Sequence, residues 1–187
     1  MLDFISPIGQ QQALVNYTPD TPDDDIFARS WLEGARFSSP PPVPVVATIP
    51  ASQAGLIPDL IGGSLPMMSK RLAEAIESAG VSNIDFYEAE IDDQKSGQKL
   101  DTHLAFNIVG VIAAADLAKS AYSAPDGPLI SVEFSSLAID PSKAQGARLF
   151  RLAEFVAGIV VHESVKQAIE QANITTLTFT DPAEWAS

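Results

Sequence analysis

Hydrophobic residues recur at helical spacing in two similar stretches of the chain, 67–86 and 160–179. The first apolar stripe consists of Leu72, Ala75, Ile76 and Ala79, and the second of Val165, Ala168, Ile169 and Ala172. Within each stripe the residues lie at positions i, i+3, i+4 and i+7, which places them on one face of a helix. Aligned without a gap, the two stretches also share five identical residues. The pattern therefore predicts a repeated unit whose helix packs one face on a sheet.

Both predicted helices are flanked by residues that favour a start and a stop. Ser69 suits the N-cap of the first helix, because its hydroxyl can accept a hydrogen bond from a free amide of the first turn. His162 occupies the same place before the second helix. Gly80 and Asn173 follow the helices, and these residue types adopt the left-handed backbone conformation most easily. Alternating apolar residues then predict a strand after each helix, so each unit reads as helix, turn and strand.

The rest of the chain predicts mainly strands and turns. Alternation indicates strands at 13–17, 84–91, 103–109, 129–134, 137–140 and 147–152, with turns at 92–97, 125–127 and 141–146. Segment 26–33 is predicted to be a helix that ends at Gly34, and the proline-rich segment 38–50 an extended connector over the surface. Hairpins mixed with two helix-turn-strand units favour the α+β class, with a mixed, mostly antiparallel sheet and helices packed on it.

Length and composition set the expected organisation of the protein. The 187 residues suit one domain, which we place at 25–181, with an N-terminal segment over 1–24 and a tail over 182–187. The chain has no cysteine, which excludes disulfides and thiolate metal ligands. No apolar run is long enough to span a bilayer, and the first residues lack the positive charge of a signal peptide. We therefore expect a cytoplasmic protein.

The acidic balance bears on the kind of partner. The formal net charge is −13, so nucleic acid and anionic membranes would be repelled, and a basic protein would be attracted. The run Asp23, Asp24 and Asp25 fits a helix N-terminus better than a cation site, since further oxygen ligands at alternating spacing are missing. An acidic surface that serves only solubility is equally compatible with this composition.

A search for catalytic or metal-binding motifs finds no complete set. His162 and Glu163 begin a metalloprotease-like helix pattern, but Lys166 stands where the second histidine would be. Asp101 and His103 would share one face of a strand, as an acid–base or metal pair requires, yet no third ligand is near in sequence. We predict no catalytic residues, no metal and no cofactor, and a protein that works by binding.

The order of landmarks along residues 25–181 resembles a bacterial family of domains assigned as immunity proteins of polymorphic toxin systems. In the first part of the chain the resemblance rests on the segment from Phe27 to Gly34, the proline-rich connector, Asp59 and the segment from Pro66 to Leu72. In the middle it rests on the strand over 83–91, the segment from Leu104 to Asn107, Asp116 and the segment from Ser136 to Asp140. In the last part it rests on Leu149-Phe150-Arg151-Leu152, on Ile159-Val160-Val161-His162-Glu163 before the last helix, and on Phe179. The family usually has a small hydroxyl residue at the position of His162, a difference that concerns only the helix cap.

The resemblance implies a non-enzymatic protein that binds and neutralises a cognate toxin. Combined with the net charge, it leads us to expect a basic toxin that meets an acidic surface. The candidate contact residues are Asp23, Asp24, Asp25, Glu88, Glu90, Asp92 and Asp93. Two alternatives stay open: a small-molecule-binding domain or enzyme centred on Asp101 and His103, and a structural or chaperone-like subunit. The sequence leaves the oligomeric state open.

Overall fold

The computed structural model describes residues 2–7, 31–51, 57–123 and 132–185. The helices are α1 (Lys70–Ser78) and α2 (Glu163–Gln171). The strands are β1 (Leu2–Pro7), β2 (Val45–Ile49), β3 (Leu60–Ile61), β4 (Met67–Ser69), β5 (Ile84–Asp93), β6 (Gln98–Leu100), β7 (His103–Ile108), β8 (Val111–Ile112), β9 (Ala121–Ser123), β10 (Glu133–Ser136), β11 (Leu149–Leu152), β12 (Phe155–His162) and β13 (Leu177–Thr180). Short 3-10 helices cover Pro141–Ala144 and Pro182–Glu184.

The described strands form two large sheets and one small one. One large sheet has the order β13-β1-β12-β11-β8, and the other has the order β2-β5-β7-β4-β3, with β6 paired to the far end of β5. Strands β9 and β10 form a separate antiparallel pair. All pairings among the described strands are antiparallel except β2 with β5 and β8 with β11. The predicted α+β class with a mixed, mostly antiparallel sheet is therefore confirmed.

The repeated sequence corresponds to a repeated structure. In β4-α1-β5 the two strands flank the antiparallel strand β7, and in β12-α2-β13 they flank β1. Ser69 lies opposite His103 and Phe86 opposite Phe106; in the second unit His162 lies opposite Leu2 and Phe179 opposite Ile5. Each unit is thus a strand-helix-strand element that encloses a third strand, with the same register in both. Antiparallel strands β3 and β11 extend the two units in equivalent positions.

Contacts between the two halves are reciprocal. Thr176, just before β13, hydrogen bonds the amide and carboxylate of Asp59, just before β3. Asn83 is equivalent to Thr176, because both lie three residues before the shared phenylalanine. Its side chain donates to the carbonyl of Leu149 on β11 of the other half at 3.1 Å. Helices α1 and α2 also contact each other. This reciprocity is what two equivalent halves facing each other would produce.

Alternation along the strands divides the core into three layers. Met68 and Phe106 from one sheet and Val161 from the other face a central core that also buries Leu72 and Ile169 of the helices. Met67, Ala105 and Ile61 point the opposite way, into an outer core around Trp31. Val160 and Phe150 point into a second outer core that contains Phe134. Each large sheet therefore packs against a core on each of its two faces.

The predicted helix ends are confirmed. The hydroxyl of Ser69 accepts a hydrogen bond from the Leu72 amide at 3.2 Å, and Nδ1 of His162 accepts one from the Ser164 amide at 3.2 Å. Gly80 and Asn173 both have positive φ, 82° and 54°. Imidazole and hydroxyl thus perform the same capping function. One difference from the predicted stripes is Ala172, which is exposed.

Several predicted elements differ from the structure or lie outside its described part. Strand β1 was not predicted, although it lies between β12 and β13. The proline-rich segment is not only a connector, because it contains β2, which pairs in parallel with β5. The predicted strand at 137–140 is reduced to an isolated bridge between Ile139 and Ala115. Residues 31–33, the predicted end of the helix at 26–33, form bends and not a helix. The predicted strand at 13–17, residues 26–30 of that helix and residues 129–131 lie outside the described residues. The division at residues 24 and 181 stays a prediction.

Candidate partner-binding surface

The candidate acidic residues of β5 are divided between two faces of the sheet. Tyr87, Ala89 and Ile91 point into the outer core around Trp31. Because side chains alternate along a strand, Glu88, Glu90 and Asp92 share the opposite face. We call these three residues the acidic face. Glu90 lies opposite Val46 of β2 and Asp92 lies opposite Thr48, so the acidic face continues onto the neighbouring strand.

The acidic face carries more negative charge than its neighbours neutralise. Nζ of Lys99 on β6 lies 2.7 Å from Oε1 of Glu90. Among the described residues, this is the one ion pair that involves a carboxylate of the acidic face. In the same part of the chain, Glu88 and Asp92 form no ion pair. Glu88 is exposed and Asp92 is half-buried. Three carboxylates against one ammonium leave an excess of two negative charges on this part of the sheet.

Asp93 does not belong to the acidic face. It lies at the end of β5, on the opposite side from Asp92, and its carboxylate closes the following turn. It accepts hydrogen bonds from the Ser96 hydroxyl at 2.7 Å and from the Lys95 amide at 3.0 Å. The bond from Ser96 contributes most to lowering the pKa of Asp93. The structure thus gives Asp93 a role in the hairpin. The other predicted cluster, Asp23 to Asp25, lies outside the described residues.

The structure gives Asp101 and His103 different environments. The side chain of Asp101 is 91% exposed and pairs with Lys70 at 3.4 Å. His103 is buried, with Nε2 3.0 Å from the carbonyl oxygen of Pro58 and Nδ1 2.9 Å from the hydroxyl of Thr102. Because a carbonyl only accepts, Nε2 carries the proton and Nδ1 accepts from Thr102. Burial lowers the pKa of His103, so the ring is a neutral structural group.

A buried cluster around Asp59 was not recognised as such from the sequence. The carboxylate of Asp59 is 5% exposed and accepts two hydrogen bonds from Arg71, at 2.7 Å from Nε and 2.6 Å from Nη2. It also accepts from the hydroxyls of Ser69 and Thr176, each at 2.5 Å. The cluster thereby connects the segment before β3, the N-terminus of α1 and the segment before β13. Asp59, Ser69 and Arg71 lie within a short stretch of the sequence, but Thr176, which also binds the carboxylate of Asp59, is distant along the chain.

The comparison with known protein families decides the identity at the level of the family. The model of the immunity protein family Imm11 matches residues 9–184. The chain belongs to this family. The match spans most of the chain and confirms the resemblance found on the order of landmarks. No curated protein matches the chain.

In this Imm11 member, several of the landmarks that carried the resemblance form parts of the framework of the fold. Asp59, Ser69 and Arg71 make the buried cluster just described. The sequence Leu149-Phe150-Arg151-Leu152 is strand β11, and Ile159 to His162 is the end of β12. In this chain these landmarks therefore serve as parts of the strands, the helix N-terminus and the buried cluster that build the fold.

The described part of the chain was searched for clusters of metal-ligating side chains and for helices that could cross a membrane. Within the described ranges there is no group of three or more His, Asp or Glu side chains placed to hold a metal ion. No helix among the described residues is long and apolar enough to cross a membrane. Of the predicted contact residues, the structure brings together Glu88, Glu90 and Asp92.

Proposed function

We propose that this protein is an immunity protein that neutralises a cognate toxin by binding it, without catalysing a reaction, in the cytoplasm of the cell that carries it. The observation that supports the proposal most directly is the match of residues 9–184 to the immunity protein family. The buried, hydrogen-bonded state of His103 and the separate pairing of Asp101 give the enzymatic alternative no support.

The surface that we propose for the toxin is the acidic face of β5. Exposed and half-buried carboxylates along one strand attract a basic surface at long range and orient it on contact. The half-buried Val46 and Thr48 beside it add area that a partner could cover. The toxin would therefore present lysine or arginine side chains to Glu88 and Asp92. Asp23 to Asp25 remain proposed as a second acidic contact.

The first experiment asks whether a toxin partner exists. Tagged protein is used to capture partners from host lysate at low and high salt, and each stoichiometric partner is expressed alone and together with this protein. We expect one partner that arrests growth when expressed alone and is harmless when both are expressed. If no captured partner is toxic at either salt concentration, the immunity function is wrong for this chain.

The second experiment tests the acidic face with matched charge changes. Glu88→Gln with Asp92→Asn removes two charges from the acidic face, and Glu133→Gln with Glu184→Gln removes two charges from exposed residues elsewhere. At low salt the first double variant should associate with the toxin about 3- to 10-fold more slowly, because steering acts on the association rate. The second should change the rate by less than about twofold. Equal rates for both double variants would contradict the assignment of this face.

A further inference from the structure

A cavity of about 150 Å³ lies between the inner faces of the two large sheets. Its apolar walls include Ile5, Leu60, Phe106 and Ile159, all of which belong to the central core or its lining. Gly62, Gly63 and Ala157 also line it and are exposed, so the cavity opens to solvent on their side. Its one charged lining residue among those described is Arg151. An apolar cavity with one cationic lining residue suits a ligand that is itself apolar and carries one anionic group.

Arg151 is buried far more deeply than an arginine normally is. It is 1% exposed, and Nη1 donates to the carbonyl oxygen of Val156 at 2.9 Å. Its Nε is buried and has no hydrogen-bond partner in the described part of the chain. Among the described residues no carboxylate pairs with it, and the acidic residue nearest along that hairpin, Glu154, does not line the cavity. Burial lowers the pKa of Arg151 to about 10, so the guanidinium remains charged at neutral pH.

A buried cation with a free donor is unfavourable unless an anion or ordered water completes it. The guanidinium has five N–H donors in a planar fork whose geometry matches a carboxylate. Within the described residues, the bond to Val156 uses one of these donors. The remaining donors and the adjacent apolar volume are therefore complementary to a carboxylate that carries a short hydrocarbon chain.

The cavity arises at a position where the two equivalent halves differ. On β11, Arg151 lies opposite Ile159. On β3, Ile61 lies opposite Met67, so the next position, equivalent to Arg151, is Gly62. Arg151 and Gly62 both line the cavity. One half therefore places a guanidinium at this level and the other places no side chain, which leaves open volume beside the cation.

We propose that this cavity binds a small monocarboxylate with a short apolar chain, with its carboxylate on Arg151 and its chain against Phe106 and Ile159. The volume of 150 Å³ corresponds to about five water molecules at roughly 30 Å³ each, which accommodates an acid of about four to six heavy atoms. A chain of this length fills the apolar walls, and the bidentate pair supplies orientation. Acetate would leave most of the wall uncovered and should bind more weakly than butyrate.

The test uses the intact protein with sodium butyrate as the probe and sodium chloride at equal ionic strength as the reference. At butyrate about tenfold above Kd, the Tm should rise by about 3–6 °C for a protein of this size. Calorimetric titration should give one site per chain, with acetate weaker by a factor of about ten or more. The proposal would be overturned if butyrate up to about 100 mM raised the Tm no more than sodium chloride does, because a site with a millimolar Kd would be nearly saturated at that concentration.

Three variants separate a bound carboxylate from a general salt effect. Arg151→Met removes the cation with little change of shape and should abolish the response to butyrate. Gly62→Leu adds a side chain at a position with free space, because no heavy atom of the described residues lies within 4 Å of where its Cβ would be. This variant should weaken binding by occupying part of the cavity, while Arg151 stays in place. Arg148→Met changes an exposed arginine on the approach to the same strand and should respond like the original protein. If Arg151→Met does not fold, Gly62→Leu alone decides, and an unchanged response in it refutes the site.

Discussion

The sharpest stability prediction concerns Asp59, whose carboxylate joins the two halves of the fold. Asp59→Asn keeps the size of the side chain and removes its charge. The carboxylate accepts four hydrogen bonds, two from Arg71 and one each from Ser69 and Thr176. An amide can replace only part of this set, because its NH2 group is a donor and would face the donors of Arg71. The substitution therefore disrupts a contact between α1, the segment before β3 and the segment before β13.

The pKa of Asp59 gives the size of the effect. Burial by itself would raise this pKa, but the hydrogen bonds from Arg71, Ser69 and Thr176 and the charge of Arg71 outweigh it and lower the pKa from 3.8 to about 2. At about 1.36 kcal/mol per unit, this difference corresponds to roughly 2 kcal/mol of stability from the ionised carboxylate. The contribution is fully present above pH 3.8 and is lost as the pH falls through about 2.

The assay is urea unfolding of the original protein and Asp59→Asn at several pH values from about 7 to about 2. At neutral pH the variant should be less stable by about 2–4 kcal/mol, since it also leaves donors of the cluster unpaired. The difference should shrink between pH 3.8 and about 2, where Asp59 of the original protein takes up its proton. Asp101→Asn, which changes a 91% exposed carboxylate, is the matched control and should leave stability nearly unchanged.

Comparing the two proteins at each pH removes the effect of the other carboxylates, because these titrate in both. A stability difference that stays constant over the whole pH range would refute the argument that the charge of Asp59 is responsible. A difference no larger than that of Asp101→Asn would show that the cluster does not hold the two halves together.

Two further predictions concern the histidine and the helix ends. Burial lowers the pKa of His103 below its usual 6.5, so the protein should become less stable as the pH falls below 6.5. His103→Gln should remove that part of the pH dependence. An NMR titration that places the pKa of His103 above 6.5 would contradict this prediction. Gly80→Ala should destabilise the protein by about 1–2 kcal/mol, because φ is 82° and a Cβ would meet the side chain of Arg148. Asn173→Gly, at φ 54°, should leave the stability unchanged or raise it by up to about 1 kcal/mol. Thermal unfolding of both variants measures these differences.

The parts of the fold that the sequence predicted are those encoded by neighbouring residues. The apolar stripes, the caps at Ser69 and His162 and the stops at Gly80 and Asn173 all act within one or two helical turns. A cap or a left-handed residue works by bonding or bending its own chain, so it can be recognised without knowing the rest of the fold. The same is true of the hairpin turn after β5.

The parts that were missed depend on distant residues. Strand β1 lies between β12 and β13, at the other end of the chain. Its Asp3 is buried in an ion pair with Lys166 at 2.9 Å, so a charged residue stands where alternation alone would suggest an apolar one. Strand β2 follows a run of prolines that indicated a connector, yet Val45 to Ile49 pairs with β5. Neither signal is readable without the partner strand.

The candidate surface was predicted only in part, for a related reason. The sequence shows four acidic residues between 88 and 93 but not what each carboxylate touches. Lys95 and Ser96 show that Asp93 serves the turn, and Lys99 neutralises Glu90 only because β6 folds back beside β5. Only these contacts distinguish a carboxylate that stabilises the fold from one that is available to bind a partner. The carboxylates of Glu88 and Asp92 form no ion pair within the described ranges.

Comparison of the two equivalent halves indicates where binding is to be sought. The features common to both halves, including helix caps, strand registers and reciprocal hydrogen bonds, are needed to hold the fold together. Strand β13 ends at Thr180, one residue after its phenylalanine, whereas β5 continues from Phe86 to Asp93. The acidic face lies entirely on this extension, and Arg151 lies where the other half has Gly62. The acidic face thus occupies an extension that the repeated framework does not require, and Arg151 marks a position at which the two halves differ, so both proposed binding sites lie where the repeat is broken.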